Sequence, residues 1–170
     1  YIDRVALETV LQLLRDKRAC LLKAQRKGVR RYVTVVFADV TGFTGICEDN
    51  DAEYVTKLIN TLWSSLDSVI LDHGGRIDKH IGDAVMAIWG SEKVRESDAA
   101  RAVRAALEIQ KRAENLRFSD RRRRIDGFQV RVGVHSGPVF LGSIGLSGEY
   151  TAMGDTVNIA SRMESHGLNG

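Results

Sequence analysis

The stretch Gly75-Arg-Ile-Asp-Lys-His-Ile-Gly-Asp-Ala-Val-Met-Ala-Ile-Trp89 constrains the fold more than any other. Ile77 and Ile81 lead into Gly82-Asp83; Val85, Ile88 and Trp89 lead out of it. Glycine reaches positive φ freely and aspartate tolerates turns, so apolar runs flanking this pair predict a hairpin. The turn carries a carboxylate, Asp83, at its tip, and Lys79 lies just before it. A second apolar run, Tyr32-Val-Thr-Val-Val-Phe-Ala-Asp39, also ends on a carboxylate. Its unbroken apolar character through Val40 predicts a strand buried on both faces. Laid side by side, strand and hairpin bring Asp39 and Asp83 together, and paired carboxylates suit hard cations such as Mg²⁺.

The other elements follow in order. Leu7, Val10, Leu14, Leu21 and Ala24 fall at heptad positions, with Lys17 interrupting the seam. Residues 1–29 are therefore read as a helix and linker, either a dimerising signal helix or a helix packed on its own domain. Thr41-Gly-Phe-Thr44 is a glycine turn. Asn50 and Glu53 have capping-box spacing ahead of a long helix. On that helix Tyr54, Leu58, Leu62, Trp63, Leu66, Val69 and Ile70 recur at helical period, and Gly74 stops it. Ser97 is expected to cap a further helix with a face of Ala99, Ala102, Val103, Ala106, Leu107, Gln110 and Ala113. Arg117 to Asp126 reads as a charged connection. Phe128 to His135 alternates as a strand, Ser136-Gly-Pro138 reads as a turn, and Val139 to Ile144 as the returning strand. A last helix, Met153 to Met163, carries Asn158 and Arg162 at i and i+4, on one face.

Strand, helix, hairpin, helix, hairpin, helix is an α+β order: helices covering a mostly antiparallel sheet. At 170 residues the chain is one domain, or one domain plus an appendage. The net charge of +3 does not call for nucleic acid, and Arg121-Arg-Arg-Arg124 has no interleaved aromatic residues to stack bases. No apolar run has the length of a membrane span. Cys20 and Cys47 lack metal-ligand spacing and read as free thiols in a reducing compartment. A cytoplasmic location is expected, with membrane tethering of a longer parent chain left open. His73, His80, His135 and His166 have no His or Cys partners at metal spacing and read as structural.

Phe37-Ala-Asp-Val-Thr-Gly-Phe-Thr44, Asp78-Lys-His-Ile-Gly-Asp-Ala84 and Met153-Gly-Asp-Thr-Val-Asn-Ile-Ala-Ser-Arg-Met-Glu164 resemble the signatures of class III adenylyl/guanylyl cyclases. The resemblance implies a palm-like, ferredoxin-like catalytic domain over 30–170. It also implies conversion of a nucleoside triphosphate to a 3′,5′-cyclic monophosphate and pyrophosphate. Asp39, Asp83 and the Val40 carbonyl would hold two Mg²⁺ or Mn²⁺ ions. Backbone N–H groups of Gly42, Phe43 and Thr44 would cradle the β- and γ-phosphates. Lys79 and Thr151 would read the base, Asn158 orient the ribose, and Arg162 stabilise charge on the α-phosphate. The family's sites form between two domains, so a homodimer is implied, with an upstream regulatory domain in the parent chain.

Lys79 favours ATP, because lysine only donates and adenine N1 accepts. Thr151 departs from the aspartate usual in membrane-bound adenylyl cyclases and resembles the subgroup that includes soluble, bicarbonate-responsive enzymes. The family continues with further strands and a phosphate-binding lysine or arginine, so the domain is read as truncated at its C-terminal end. The rival readings are GTP specificity, a diguanylate cyclase, or a degenerate domain that only binds nucleotide or dimerises. The first would want an acceptor at Lys79, the second a Gly-Gly-Asp/Glu-Glu-Phe hairpin, and the third the loss of site residues that are all present.

Overall fold

The computed structural model describes Glu8, Gln12 and residues 28–120, 123–144 and 149–167. The helix expected over 1–29 falls almost wholly outside these residues, as do all its heptad positions; Glu8 and Gln12 are helical. The described elements are β1 (Val29–Val40), α1 (Phe43–Glu48), α2 (Ala52–Asp72), β2 (Arg76–Ile81), β3 (Ala84–Trp89) and α3 (Asp98–Asn115). They continue through β4 (Arg117–Asp120), β5 (Arg123–Asp126), β6 (Val130–Ile144), β7 (Glu149–Met153) and α4 (Asp155–Ser165). Five strands form one antiparallel sheet in the order β2-β3-β1-β6-β7. The fold is α+β, as the element order predicts.

β1 is the central strand, and its alternation divides the core in two. Val36, Ala38 and Val40 face α2 and α3; Val33, Val35 and Phe37 face the side covered by α4. The first face is the larger, packed by Leu58, Leu62, Leu66 and Ile70 of α2 and by Ala102, Ala105 and Ile109 of α3. On the second face α4 lies almost on bare backbone. A Cβ on Gly133 would come within 2.2 Å of the Ala160 carbonyl oxygen. One on Gly137 would meet Thr156 Oγ1 at 2.5 Å. These glycines of β6, one helical turn of α4 apart, let the helix seat directly on the strand.

Several local expectations are corrected. The α2 cap is Asp51, whose Oδ1 accepts from the Tyr54 N–H at 2.8 Å; the Asn50 amide instead donates to the Ile46 carbonyl. Ser97 sits at the α3 N-cap without a side-chain capping bond, while Asp98 Oδ2 accepts from the Arg95 N–H at 2.8 Å. The α3 core face is Ala102, Ala105, Ala106, Ile109 and Ala113, leaving Val103 and Leu107 exposed. Alanine marks a face weakly, and the one large side chain, Ile109, sets the rotation. Arg117 to Asp126 is a hairpin, β4–β5, with Phe118 opposite Ile125 against the core. Ser136-Gly-Pro138 is not a turn. β6 runs through it, paired with β1 from Val29 to Val40. Pro138 is tolerated because the β6–β7 ladder begins only at Phe140, so one side of β6 needs no N–H there. Among the described residues no helix is long and apolar enough to cross a membrane.

Candidate active site

Backbone pairing sets the acidic end. The β1–β3 ladder ends with Asp39 opposite Ala84, and the Val40 N–H donates to the Asp83 carbonyl at 3.3 Å. Gly82 takes a φ of 64°, which the tight turn requires. The strand end and the hairpin tip thus bring Asp39 and Asp83 together. Asp39 continues the row Val33, Val35, Phe37 on the α4 side of the sheet.

Two residues not singled out in the sequence join them there. Arg131, cross-strand from Asp39 on β6, places Nη2 2.6 Å from Asp39 Oδ2 and Nε 3.2 Å from Glu164 Oε1. Glu164 reaches in from α4 and is 9% exposed. Burial first, then the charge of Asp39, pushes the Glu164 carboxyl above its ordinary range. Asp83 is shifted the same way, by burial and then by Asp39. The hydrogen bond to Asp39 holds the Arg131 guanidinium still more firmly protonated than usual. Three carboxylates share one guanidinium, an acidic excess that a divalent cation would relieve. Among the described residues no group of three or more His, Cys, Asp or Glu is placed as a metal cage. One or two carboxylates completed by carbonyl, water and phosphate oxygens is the donor set of Mg²⁺ or Mn²⁺, and these residues fit it.

Beyond Val40 the chain turns through Gly42, at φ 76°, into the short α1. No side chain caps α1, so its first amides are left for another acceptor; Thr44 is exposed while Phe43 is buried against the core. Cys47, on the same helix, is a free, exposed thiol.

The second cluster spans the two edge strands. The β2–β3 register slips between Ile77 and Lys79, so Asp78 sits at a bulge, which re-aims its side chain. That side chain is fully buried, accepts a hydrogen bond from the Thr151 hydroxyl of β7, and is paired with Arg76 Nη2 at 2.6 Å. Burial drives the Asp78 carboxyl up, against the lowering effect of the Thr151 hydrogen bond and of Arg76. Lys79 Nζ meets Glu149 Oε1 at 2.6 Å, and the Arg76 guanidinium lies 5.7 Å from the centroid of the Tyr150 ring. The sheet therefore curls until β2 and β7 are bridged by side chains, and Lys79 and Thr151 flank the same buried carboxylate.

Asn158 and Arg162 stand apart from both clusters. They share the exposed face of α4 with Ile159 and Met163, and neither makes a side-chain hydrogen bond or ion pair among the described residues. Of the residues missed, Arg131 left one signal, a charge in the middle of an apolar, alternating strand. Glu164 left none beyond its place in the last motif. His73 Nε2 pairs with Glu108 at 3.0 Å and His80 Nε2 with Asp67 at 3.1 Å.

Known proteins resemble this chain in sequence and fold. The model of the adenylate and guanylate cyclase catalytic domain matches residues 25–170. Adenylate cyclase 1 of Rhizobium meliloti (strain 1021) is 36% identical over 146 residues, 85% of this chain and 22% of that protein. The guanylate cyclase soluble subunit beta-2 of Rattus norvegicus is 36% identical over 174 residues, 98% of this chain and 25% of that protein. The crystal structure of the catalytic core of a rhodopsin-guanylyl cyclase with converted specificity, in complex with ATPαS, superposes with a TM-score of 0.77 at 32% identity, covering 85% of this chain and 78% of that one. The chain spans a quarter or less of the length of these two curated relatives, one named for adenylate and the other for guanylate. With the domain model matched over most of its length, the chain belongs to the adenylate and guanylate cyclase catalytic-domain family.

Proposed function

We propose that the chain is an adenylyl cyclase catalytic domain, forming 3′,5′-cyclic AMP and pyrophosphate from ATP at sites shared between two copies. The observation that carries this reading is the division of the site residues. Asp39 and Asp83 are gathered on one side of the molecule's acidic end, while Asn158 and Arg162 face outward from α4 without side-chain partners among the described residues. Each copy then offers half of two equivalent sites, and a two-fold dimer completes both. The exposed apolar residues Ile159 and Met163 beside Asn158 and Arg162 suit burial against a second copy.

The preference for adenine rests on donor and acceptor matching. With Asp78 ionised, the Thr151 hydroxyl spends its proton on Asp78, so its oxygen meets a base as an acceptor. An acceptor at Thr151 and a donor at Lys79 match the amine and N1 of adenine and oppose O6 and N1–H of guanine. Mg²⁺ or Mn²⁺, held by Asp39, Asp83 and the Val40 carbonyl, would supply Lewis-acid activation of the 3′-oxygen and charge neutralisation on the phosphates. The uncapped amides of Gly42 to Thr44 bind the β- and γ-phosphates. Asn158 orients the ribose so that its 3′-oxygen faces the α-phosphorus. Arg162 stabilises the charge that develops there as pyrophosphate leaves. Cytoplasmic action and control by a further domain of a longer chain belong to the same reading.

The test is a product assay with ATP and with GTP, each with Mn²⁺, read by chromatography of the cyclic nucleotides. Cyclic AMP formed in excess over cyclic GMP is the expected result. Dominant cyclic GMP overturns the adenine assignment, and no cyclic product from either overturns the enzyme.

A further inference from the structure

We propose that Arg131 is a positioning residue that ties α4 to the occupancy of the acidic end: when a cation enters at Asp39, Arg131 leaves Asp39 and closes on Glu164. The proposal rests on the reading of Asp39 as a metal ligand. Its starting point is the double engagement of one guanidinium, 2.6 Å from Asp39 on β1 and 3.2 Å from Glu164 on α4. The two contacts are unequal. That to Asp39 is a short hydrogen bond, whereas that to Glu164 is an ion pair outside hydrogen-bond geometry, which leaves Arg131 Nε and Glu164 Oε1 unsatisfied. A buried donor and a buried acceptor facing each other unbonded form a contact waiting to tighten. A cation at Asp39 takes over the charge that Arg131 now balances there and repels the guanidinium. Glu164 is the acceptor already within reach.

The consequence runs along α4. Glu164 lies two residues from Arg162, and Gly133, two residues beyond Arg131 on β6, lies against the backbone at Ala160 and Glu164. Closing the Arg131–Glu164 bond fastens the C-terminal half of α4 to β6. In the proposed dimer Asp39 serves one site while Asn158 and Arg162 of the same chain serve the other. Cation entry at one site then seats the helix that completes its neighbour, so the two sites are coupled through Arg131.

Hydrogen exchange of the whole protein with and without Mg²⁺, without nucleotide, tests this, with binding measured separately by the electron paramagnetic resonance of free Mn²⁺. Addition of Mg²⁺ is expected to slow exchange over 160–167 roughly two- to fivefold, the scale of one partly buried ion pair. Arg131→Gln is expected to bind Mn²⁺ and lose that response; Glu164→Gln, which keeps the guanidinium but not its acceptor, is expected to lose it too. An α4 response that persists in both variants, or is absent from the parent protein while Mn²⁺ binds, overturns the proposal. If Asp39→Asn binds Mn²⁺ as the parent does, the metal reading itself fails, an outcome that the binding measurement reports independently of α4.

Discussion

Thr151, on the strand at one edge of the sheet, donates its hydroxyl to Asp78, on the strand at the other edge. The bond exists because the bulge at Asp78 turns its side chain inward, where it is fully buried. A buried carboxylate at this junction makes the stability of the fold depend on pH.

The sign follows from proton binding. In the unfolded chain Asp78 releases its proton near 3.8; in the fold, burial raises that value. Between the two the native state holds more protons, so stability falls as pH rises through the window and the loss is complete above the raised value. Asp78→Asn removes this dependence. Urea unfolding between pH 4 and 7 is expected to show the variant gaining on the parent protein as pH rises. Parallel curves would remove Asp78 as the origin.

Lys79, the donor of the proposed base-reading pair, is held by Glu149 at 2.6 Å. Lys79→Met removes the donor without adding charge, and Lys79→Glu faces adenine N1 with an acceptor. Leaving such a polar group unpaired costs about 1–3 kcal/mol, roughly a 5- to 150-fold loss in kcat/KM for ATP. The loss is expected to be larger for the glutamate, which also confronts Glu149. Unchanged discrimination between ATP and GTP in both variants would show that Lys79 does not read the base.

The proposed shared site predicts complementation. Asp39→Ala, or Asp83→Ala, destroys the cation half, and Arg162→Ala the charge-stabilising half; each alone is expected to be inactive and folded. Mixed and allowed to exchange, the Asp39 and Arg162 variants form heterodimers in which one site collects both lesions and the other neither. With statistical exchange about half the dimers are mixed, so roughly a quarter of the parent activity returns. Heterodimers shown by tagged pull-down, without recovered activity, would place the site within one chain.

Gly133→Ala tests the seating of α4. Its Cβ would lie 2.2 Å from the Ala160 carbonyl oxygen, a contact only backbone movement can relieve. Overpacking of this kind costs about 1–3 kcal/mol. Calorimetry is expected to register a lower melting temperature, and cyclase activity to fall because Asn158 and Arg162 move with the helix. An unaltered melting temperature would mean that α4 accommodates the methyl group elsewhere.

The hairpin at Gly82-Asp83, the buried strand ending at Asp39 and the helical row from Tyr54 to Ile70 were legible in the sequence because each is a local pattern of apolar spacing and turn chemistry. So was the common face of Asn158 and Arg162. Arg131 was not, because its meaning lies in Asp39, 92 residues away, and only the register of β6 on β1 joins them. Asp78 was hidden by the bulge, which breaks the alternation that sequence reading relies on. The β4–β5 hairpin was masked by its charges, although Phe118 and Ile125 face the core. Ser136-Gly-Pro138 has turn composition, and only the long ladder with β1 keeps it straight.

The bare contact between α4 and β6 sets the height of the helix by the contact radii of main-chain atoms, with no side chain between them at Gly133. Side-chain layers yield when a methyl group is gained or lost; a main-chain seat does not. Substitutions among the apolar residues that surround it, Val139, Leu141 or Met86, can therefore accumulate while the distance from sheet to Arg162 stays fixed. The chain thereby separates the part of its interior that is free to drift in sequence from the dimension on which the proposed chemistry depends.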